Sequence, residues 1–147
     1  MTAPGVVIVS ETSTFLSITF DSTMENVDKV CDKALVFVLD KITGTRKDLF
    51  SIHLALREGL INAVKHGNNE DPKKTVNCRV ICTTQDSVAI EIQDQGKGFD
   101  WQARTGGAPD SCDEHGRGLV IIQHYASEYT YNDRGNRLMF KKHLGIC

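Results

Sequence analysis

The sequence lacks any long hydrophobic run. Its most apolar stretches, Val6–Val9, Ala34–Leu39 and Leu119–Ile122, are far shorter than the roughly 20 residues that a membrane-spanning helix needs. The N-terminal residues MTAPGVVIVSETS have neither the basic start nor the long apolar core of a secretory signal peptide. We therefore expect a cytoplasmic protein that does not associate with a membrane.

The patterns of a disulfide framework and of a cysteine metal site are also absent. The five cysteines are odd in number and include no CxxC pair, which favours reduced thiols in the cytosol. Cys78 and Cys82 fall on one face of a predicted strand, and core packing is a simpler interpretation for them than metal binding.

Clustered positive charge is missing as well. The 17 Lys and Arg residues are scattered among 19 Asp and Glu residues, and the net charge is -2. Without a basic stripe, nucleic acid is not a favoured partner. A chain of 147 residues that is 40% hydrophobic and 24% charged suits one soluble domain with one core. We expect a single domain over residues 1–147.

Hydrophobic periodicity predicts strands and helices in segregated order. Alternation predicts strands at 15–20, 76–82 and 88–92 and a closing hairpin at 129–143. Helical spacing predicts helices from Thr23 to Gly44, from about 47 to 65 and from about 119 to 126, while the glycine-rich residues 94–115 predict a long loop. This order favours an α+β fold, a two-layer sandwich whose mixed, mostly antiparallel sheet is covered on one face by helices.

The second predicted helix carries a candidate catalytic pair. Glu58 and Asn62 are four residues apart and share a helix face, and His66 follows one turn later. Gly59 and Ala63 are small and would let a bulky group approach the helix. A carboxylate can take the proton of an attacking hydroxyl, and an amide oxygen can bind a hard cation. The residues alone leave a solvated helix face as the alternative.

A second candidate segment follows a predicted strand. Asp94 ends the strand, and Gly96 and Gly98 come directly after it. A carboxylate can accept a hydrogen bond from an exocyclic amine such as that of adenine, and glycine permits close approach of the backbone. A plain turn after a strand is the alternative.

A third candidate segment lies where the long loop becomes an apolar helix. Gly116, Arg117 and Gly118 stand at this start. The free N–H groups and the dipole of a helix N-terminus favour an anion, and an arginine can add a charge-assisted contact to a phosphate. A glycine-rich helix start without a ligand is the alternative. The spacing matches neither the GxGxxG dinucleotide motif of a βαβ unit nor the GxxxxGK[ST] phosphate loop.

The three segments in this order resemble the Bergerat-type ATPase superfamily, which includes histidine kinases and DNA gyrase. They read LREGLINAVKHGN (Leu56–Asn68), IQDQGKGFD (Ile92–Asp100) and HGRGLVIIQHYASEYTY (His115–Tyr131). Within the superfamily the chain resembles the bacterial anti-sigma factor serine/threonine kinases over nearly its whole length. The resemblance implies the Bergerat ATP-binding fold and the cofactors ATP and Mg²⁺.

The resemblance also implies roles for individual residues. Glu58 matches the catalytic base, Asn62 the magnesium ligand and Asp94 the adenine-binding carboxylate. The other residues that the resemblance assigns to the nucleotide are Gly96, Gly98, Gly116, Arg117, Gly118, Lys65 and His66. Residues 100–115 match a lid over ATP. For His66 a purely structural role stays open.

One position departs from the family pattern. Family members often carry Thr after the glycine of the final hairpin, where it supports the adenine-binding carboxylate. Here Asn136 follows Gly135. The departure concerns the details of adenine binding and not the fold.

The resemblance implies a partner-switching regulator. The expected activity is phosphorylation of a small STAS-type anti-sigma factor antagonist on Ser or Thr, and the expected partners are that antagonist, a sigma factor and a second copy of the chain. Two alternatives stay open. One is a non-catalytic module of the family that responds to ATP, and the other is the ATPase domain of another branch, such as a histidine kinase.

Overall fold

The computed structural model describes residues 7–42, 45–98 and 114–144, with backbone alone for residues 7 and 114–119. In chain order the elements are β1 (Val7–Glu11), β2 (Phe15–Asp21), α1 (Met24–Lys41), α2 (Arg46–Ile61), a π-helical turn (Asn62–Gly67), β3 (Thr75–Ile81), β4 (Ser87–Gln93), α3 (Glu114–Tyr125), β5 (Glu128–Tyr131) and β6 (Arg137–His143). No helix within these ranges is long and apolar enough to cross a bilayer.

The six strands form one sheet in the order β1-β2-β3-β4-β6-β5. Each neighbouring pair is antiparallel, including the pair of β4 and β6, in which Ile92 lies opposite Leu138. The predicted α+β sandwich is thus confirmed, and the described sheet is wholly antiparallel where a mixed sheet was expected. The reason is that β5 and β6 form a hairpin whose second strand joins β4.

The core lies between one face of the sheet and the helices. Alternate residues of β2 (Leu16, Ile18, Phe20) are buried, and the same alternation holds in β3 and, apart from the buried Glu91, in β4. These side chains form one cluster with the buried residues of α1 and α2. Full burial of one such side chain stabilises the folded state by about 1.5–3 kcal/mol. This face therefore fixes the strand register, since a slip by one residue would expose it.

Side-chain caps begin both long helices. The backbone N–H of Asn26 donates to Thr23 Oγ1 at the start of α1, as the Asp21-Ser22-Thr23 segment predicts. At the start of α2, Thr45 and Asp48 form a reciprocal capping box. The helix α1 ends at Lys41, and Gly44, which was expected to end it, lies outside the described residues.

The end of α2 differs from the regular helix that the sequence predicts. After Ile61 the chain widens into the π turn, and the N–H of Asn68 donates to the carbonyl of Ala63, five residues back. Wide turns of this kind are frequent at functional sites. Gly67-Asn68-Asn69 then turns the chain, as predicted, with Asn69 at a φ of 53°.

Candidate functional site

A cavity at the C-terminal end of β4 brings together residues that are distant in the sequence. Its walls come from α2 and the π turn (Gly59, Asn62, Ala63, His66, Gly67), from β4 and the loop after it (Ile92, Asp94, Gly98) and from β5, β6 and their turn (Tyr131, Gly135, Asn136, Leu138). They meet because β6 lies beside β4 while α2 crosses the same part of the sheet. At Gly59 the helix is so close that an added Cβ would lie 2.7 Å from Ile92 Cδ1. The small size of Gly59 therefore lets α2 pack directly against the sheet.

Size alone does not identify this site. A groove between β1 and α1, lined by residues such as Val9, Glu11, Val36 and Lys41, has a volume of 510 Å³, against 40 Å³ for the cavity. The cavity, however, is the one in which a carboxylate, two asparagine amides and a phenol converge, as in ligand sites.

Asp94 is a half-buried carboxylate at the first turn after β4. Its backbone N–H donates to the carbonyl of Asn136 over 3.0 Å, and its Oδ1 accepts the N–H of Gly96 over 2.7 Å. Burial raises the pKa of Asp94 to about 6, although the Gly96 N–H and the charges of Arg134 and Lys74 act against this rise. A carboxylate whose burial is incompletely compensated has acceptor capacity left for a ligand.

Asn68 holds the loop that carries Asp94. Its side chain is fully buried, and its Nδ2 donates to Ser22 Oγ over 2.6 Å and to the carbonyl of Thr75 over 2.9 Å. Its Oδ1 accepts the N–H of Gln95 over 2.8 Å. One amide thus joins the end of the π turn to the residue after Asp94. The sequence analysis included Asn68 as the last residue of the first quoted segment without giving it a role, and its place directly after the His66-Gly67 pair was the available signal.

Asn62 faces the cavity beside Tyr131, which the sequence analysis did not single out. Burial raises the pKa of Tyr131, as do the charge of Asp94 and Tyr129, and the neighbouring Asn62 amide partly offsets the rise. Asn62 is 7% exposed, and within the described residues its buried Nδ2 has no hydrogen-bond partner of ordinary geometry. A buried amide that its protein surroundings leave unsatisfied is available to a ligand.

The loop after Asp94 is held against the turn between β5 and β6. Gly98 has a φ of 86°, and a Cβ there would lie 1.7 Å from the carbonyl oxygen of Arg134. Arg134 Nε also donates to the carbonyl of Lys97 over 3.2 Å. Only glycine satisfies both the backbone conformation and the contact. Gly98 also lines the cavity.

The structure brings together some of the predicted site residues and not others. Asn62, His66, Asp94 and Gly98 line the cavity, and the buried Gly96 binds Asp94. Among the described side chains, those of Glu58 and Lys65 do not line it. Glu58 is partly exposed on α2, one turn before Asn62. The assigned roles of these residues stay predictions.

The glycine-rich third segment lies inside α3 and not before it. The helix begins at Glu114, so Gly116 and Arg117 belong to its first turn. The N–H groups of the N-cap and of the first three helical residues have no partner within a helix, which leaves that of Gly116 available to an anion. By the same count the N–H groups of Arg117 and Gly118 take part in hydrogen bonds within the helix. Residues 100–113 of the expected lid, which was predicted over residues 100–115, lie outside the described residues.

The donor set suits magnesium better than a transition metal. No group of three or more His, Cys, Asp or Glu side chains in the described ranges could hold a metal ion. Mg²⁺ takes oxygen ligands and keeps several waters, so one amide oxygen with ligand phosphates is sufficient. Asn62 lines the cavity, and its Oδ1 is the amide oxygen that would meet this requirement.

A comparison with protein-family models identifies the family. The model described as the histidine kinase-like ATPase domain matches residues 20–142. The chain belongs to the histidine kinase-like ATPase domain family. The matched range contains every predicted site residue, and domains of this family bind ATP.

Solved structures support the fold of this ATPase domain. The mycobacterial sensor histidine kinase MprB superposes with a TM-score of 0.52 at 19% sequence identity, and the match covers 88% of this chain and 98% of that chain. At this identity the likeness concerns the fold, which is confirmed as Bergerat-like. Comparison with curated proteins finds no significant match.

Proposed function

We propose that this ATPase domain is a serine/threonine protein kinase of the anti-sigma type. It transfers a phosphoryl group from ATP to a small STAS-type anti-sigma antagonist, and it sequesters a sigma factor when the antagonist is phosphorylated. The observation that carries the proposal is the convergence of Asp94 and Asn62 on one cavity of a histidine kinase-like ATPase domain. The resemblance of the three segments to the anti-sigma kinases supports the choice of branch.

Each wall of the cavity has a part in nucleotide binding. The carboxylate of Asp94 accepts a hydrogen bond from the base, and the Asn62 amide oxygen would hold Mg²⁺, which neutralises phosphate charge when bound. The backbone N–H of Gly116, in the first turn of α3, binds a phosphate oxygen. His66 and Lys65, which the resemblance also assigns to the nucleotide, lie on the π turn.

Glu58 is the base in this proposal. The serine or threonine hydroxyl of the antagonist attacks the terminal phosphorus of ATP, its proton passes to the Glu58 carboxylate, and ADP leaves. The partial exposure of Glu58 suits a group that must meet a protein substrate. Positioning and charge neutralisation supply most of the catalysis in such transfers.

The second candidate is an ATP-responsive binding module without kinase activity. The position of Glu58 favours it, because within the described part of the chain this side chain does not line the cavity that holds Asn62 and Asp94. In this case nucleotide binding would select between partners without phosphoryl transfer.

Phosphoryl transfer to a panel of STAS-type antagonists, followed with radiolabelled ATP, tests the proposal. Labelled phosphoserine or phosphothreonine supports the kinase. Saturable ATP binding without any transfer supports the binding module, and absence of ATP binding contradicts both. The proposal also includes a homodimer, which light scattering of the purified protein tests directly.

A further inference from the structure

The turn between β5 and β6 is organised by the side chain of Asn132. Its Oδ1 accepts three backbone N–H groups, those of Gly135 over 2.9 Å, Asn136 over 3.0 Å and Arg137 over 3.1 Å. An amide nitrogen cannot accept hydrogen bonds, so these contacts determine which amide atom of Asn132 is oxygen. The Nδ2 group must therefore point the other way.

This orientation determines that of the neighbouring amide. Asn132 Nδ2 donates to Asn136 Oδ1 over 2.8 Å, which commits the oxygen of Asn136 to the turn. Asn136 is 9% exposed and lines the cavity. The hydrogen bonds among the described residues include none from its Nδ2, so this amide donor remains for a ligand in the cavity.

Asn136 and Asp94 are neighbours in the sheet. The backbone N–H of Asp94 donates to the carbonyl of Asn136 over 3.0 Å, and both residues line the cavity. The cavity thus offers an acceptor from one residue and a donor from the other. Adenine presents the complementary pair, the N6 amine as donor and N1 as acceptor, whereas guanine presents an acceptor at position 6 and a donor at N1.

We infer that Asn136 is a specificity-determining residue whose Nδ2 donates to N1 of adenine while Asp94 accepts from the N6 amine. The inference rests on the proposed function, since it needs a nucleotide in this cavity. It assigns to Asn136 a direct contact with the base, oriented by Asn132. The rise in the pKa of Asp94 through burial agrees with a carboxylate that gains a donor when the base binds.

The test compares ATP with 1-deaza-ATP, which has carbon in place of N1, by calorimetry with the full chain. Loss of one hydrogen bond costs about 3- to 10-fold in affinity, so wild type should bind 1-deaza-ATP more weakly than ATP by that factor. In Asn136→Ala and Asn136→Asp the ratio of the two affinities should fall to about one. The aspartate variant keeps an acceptor for Asn132 but replaces the donor by a charged acceptor, whereas the alanine variant removes the donor without adding charge. Binding of 7-deaza-ATP, altered away from this edge, is the control and should match that of ATP.

The ratio of affinities makes each outcome decisive. Equal binding of ATP and 1-deaza-ATP by wild type overturns the inference and leaves the proposed function standing. A ratio that stays high in the folded variants also overturns it, because another donor must then contact N1. If wild type binds neither nucleotide, the proposed function fails and the inference with it. The wild-type comparison remains valid even if a variant does not fold.

Discussion

Gly67 and the carboxylate of Asp94 compete for one small volume. A Cβ atom on residue 67 would lie 2.3 Å from Asp94 Oδ2 and 2.7 Å from Oδ1, far inside contact distance. The π turn brings residue 67 to this point, and the loop after β4 brings the carboxylate. Because Gly67 has no side chain, the Asp94 carboxylate can occupy this space.

Gly67→Ala should destabilise the protein and weaken ATP binding, because the added methyl group displaces the Asp94 carboxylate. Overpacking of this kind typically costs about 1–3 kcal/mol. Urea unfolding and calorimetry measure the two effects. The control is the same change in an Asp94→Ala background, in which the methyl group meets no carboxylate. An equal stability cost in both backgrounds would show that the contact is not the cause.

Asp94→Asn should weaken ATP binding by about 10- to 100-fold, because a hydrogen bond to a charged group contributes about 1.5–3 kcal/mol. The same change should raise the free energy of unfolding at pH 7 by on the order of 1 kcal/mol, because it removes a charge that burial disfavours and solvent partly screens. Unchanged ATP affinity would remove Asp94 from the base-binding role.

The pKa of Asp94 predicts the pH dependence of both stability and binding. This carboxyl has a pKa of about 6 in the folded state, against an ordinary 3.8. The folded state therefore holds more protons than the unfolded state between these values, and stability should fall as pH rises from 3.8 to 6.

ATP affinity should follow the opposite course, since only the deprotonated carboxylate accepts from the base. It should rise as pH increases through about 6. Asp94→Asn serves as the control in both titrations, because it retains the protonation of the phosphates. Parallel curves for wild type and variant would contradict the assignment of this titration to Asp94.

Asn68→Ala should lower both stability and ATP affinity, since three hydrogen bonds of a buried amide are lost. Each buried partner left unsatisfied costs about 1–3 kcal/mol. Asn77→Ala is the matched control, because Asn77 also makes two side-chain bonds, to Ser17 and Thr19, but does not line the cavity. The control should lose stability and retain affinity. Equal loss of ATP affinity in both variants would show that Asn68→Ala acts by destabilising the whole protein and not through the loop that carries Asp94.

Glu58→Gln and Asn62→Ala should separate catalysis from binding. Glu58→Gln should retain ATP affinity and lower the rate of transfer to the antagonist by a factor of about 10² to 10⁴, the usual contribution of a general base. Asn62→Ala should lower the magnesium-dependent part of ATP affinity as well as transfer. Affinity at high and low magnesium and single-turnover transfer measure these effects. Transfer by Glu58→Gln at the wild-type rate would exclude Glu58 as the base.

Much of the architecture follows from local pattern. Alternating residues such as Leu16, Ile18 and Phe20 predict their strand because one buried face allows one register. Thr23 predicts its helix start because its hydroxyl satisfies a free N–H. The motif residues Asn62, Asp94 and Gly98 were also found from spacing and resemblance, and the structure places them in one cavity.

The rest depends on contacts between distant parts of the chain. Hydrophobic periodicity does not predict the π turn, because its hydrogen bond from Asn68 to Ala63 depends on how this part of the chain packs in the fold. Tyr131 is only the last residue of the third quoted segment, without an assigned role, and Asn132 lies outside it. Both reach the site because β6 pairs with β4 and the hairpin turn folds beside Asp94. The sequence by itself determined the elements and the chemical groups, since these depend on neighbours in the chain. Tertiary structure alone decided which groups face each other, because that depends on strand order and on the close approach at Gly67.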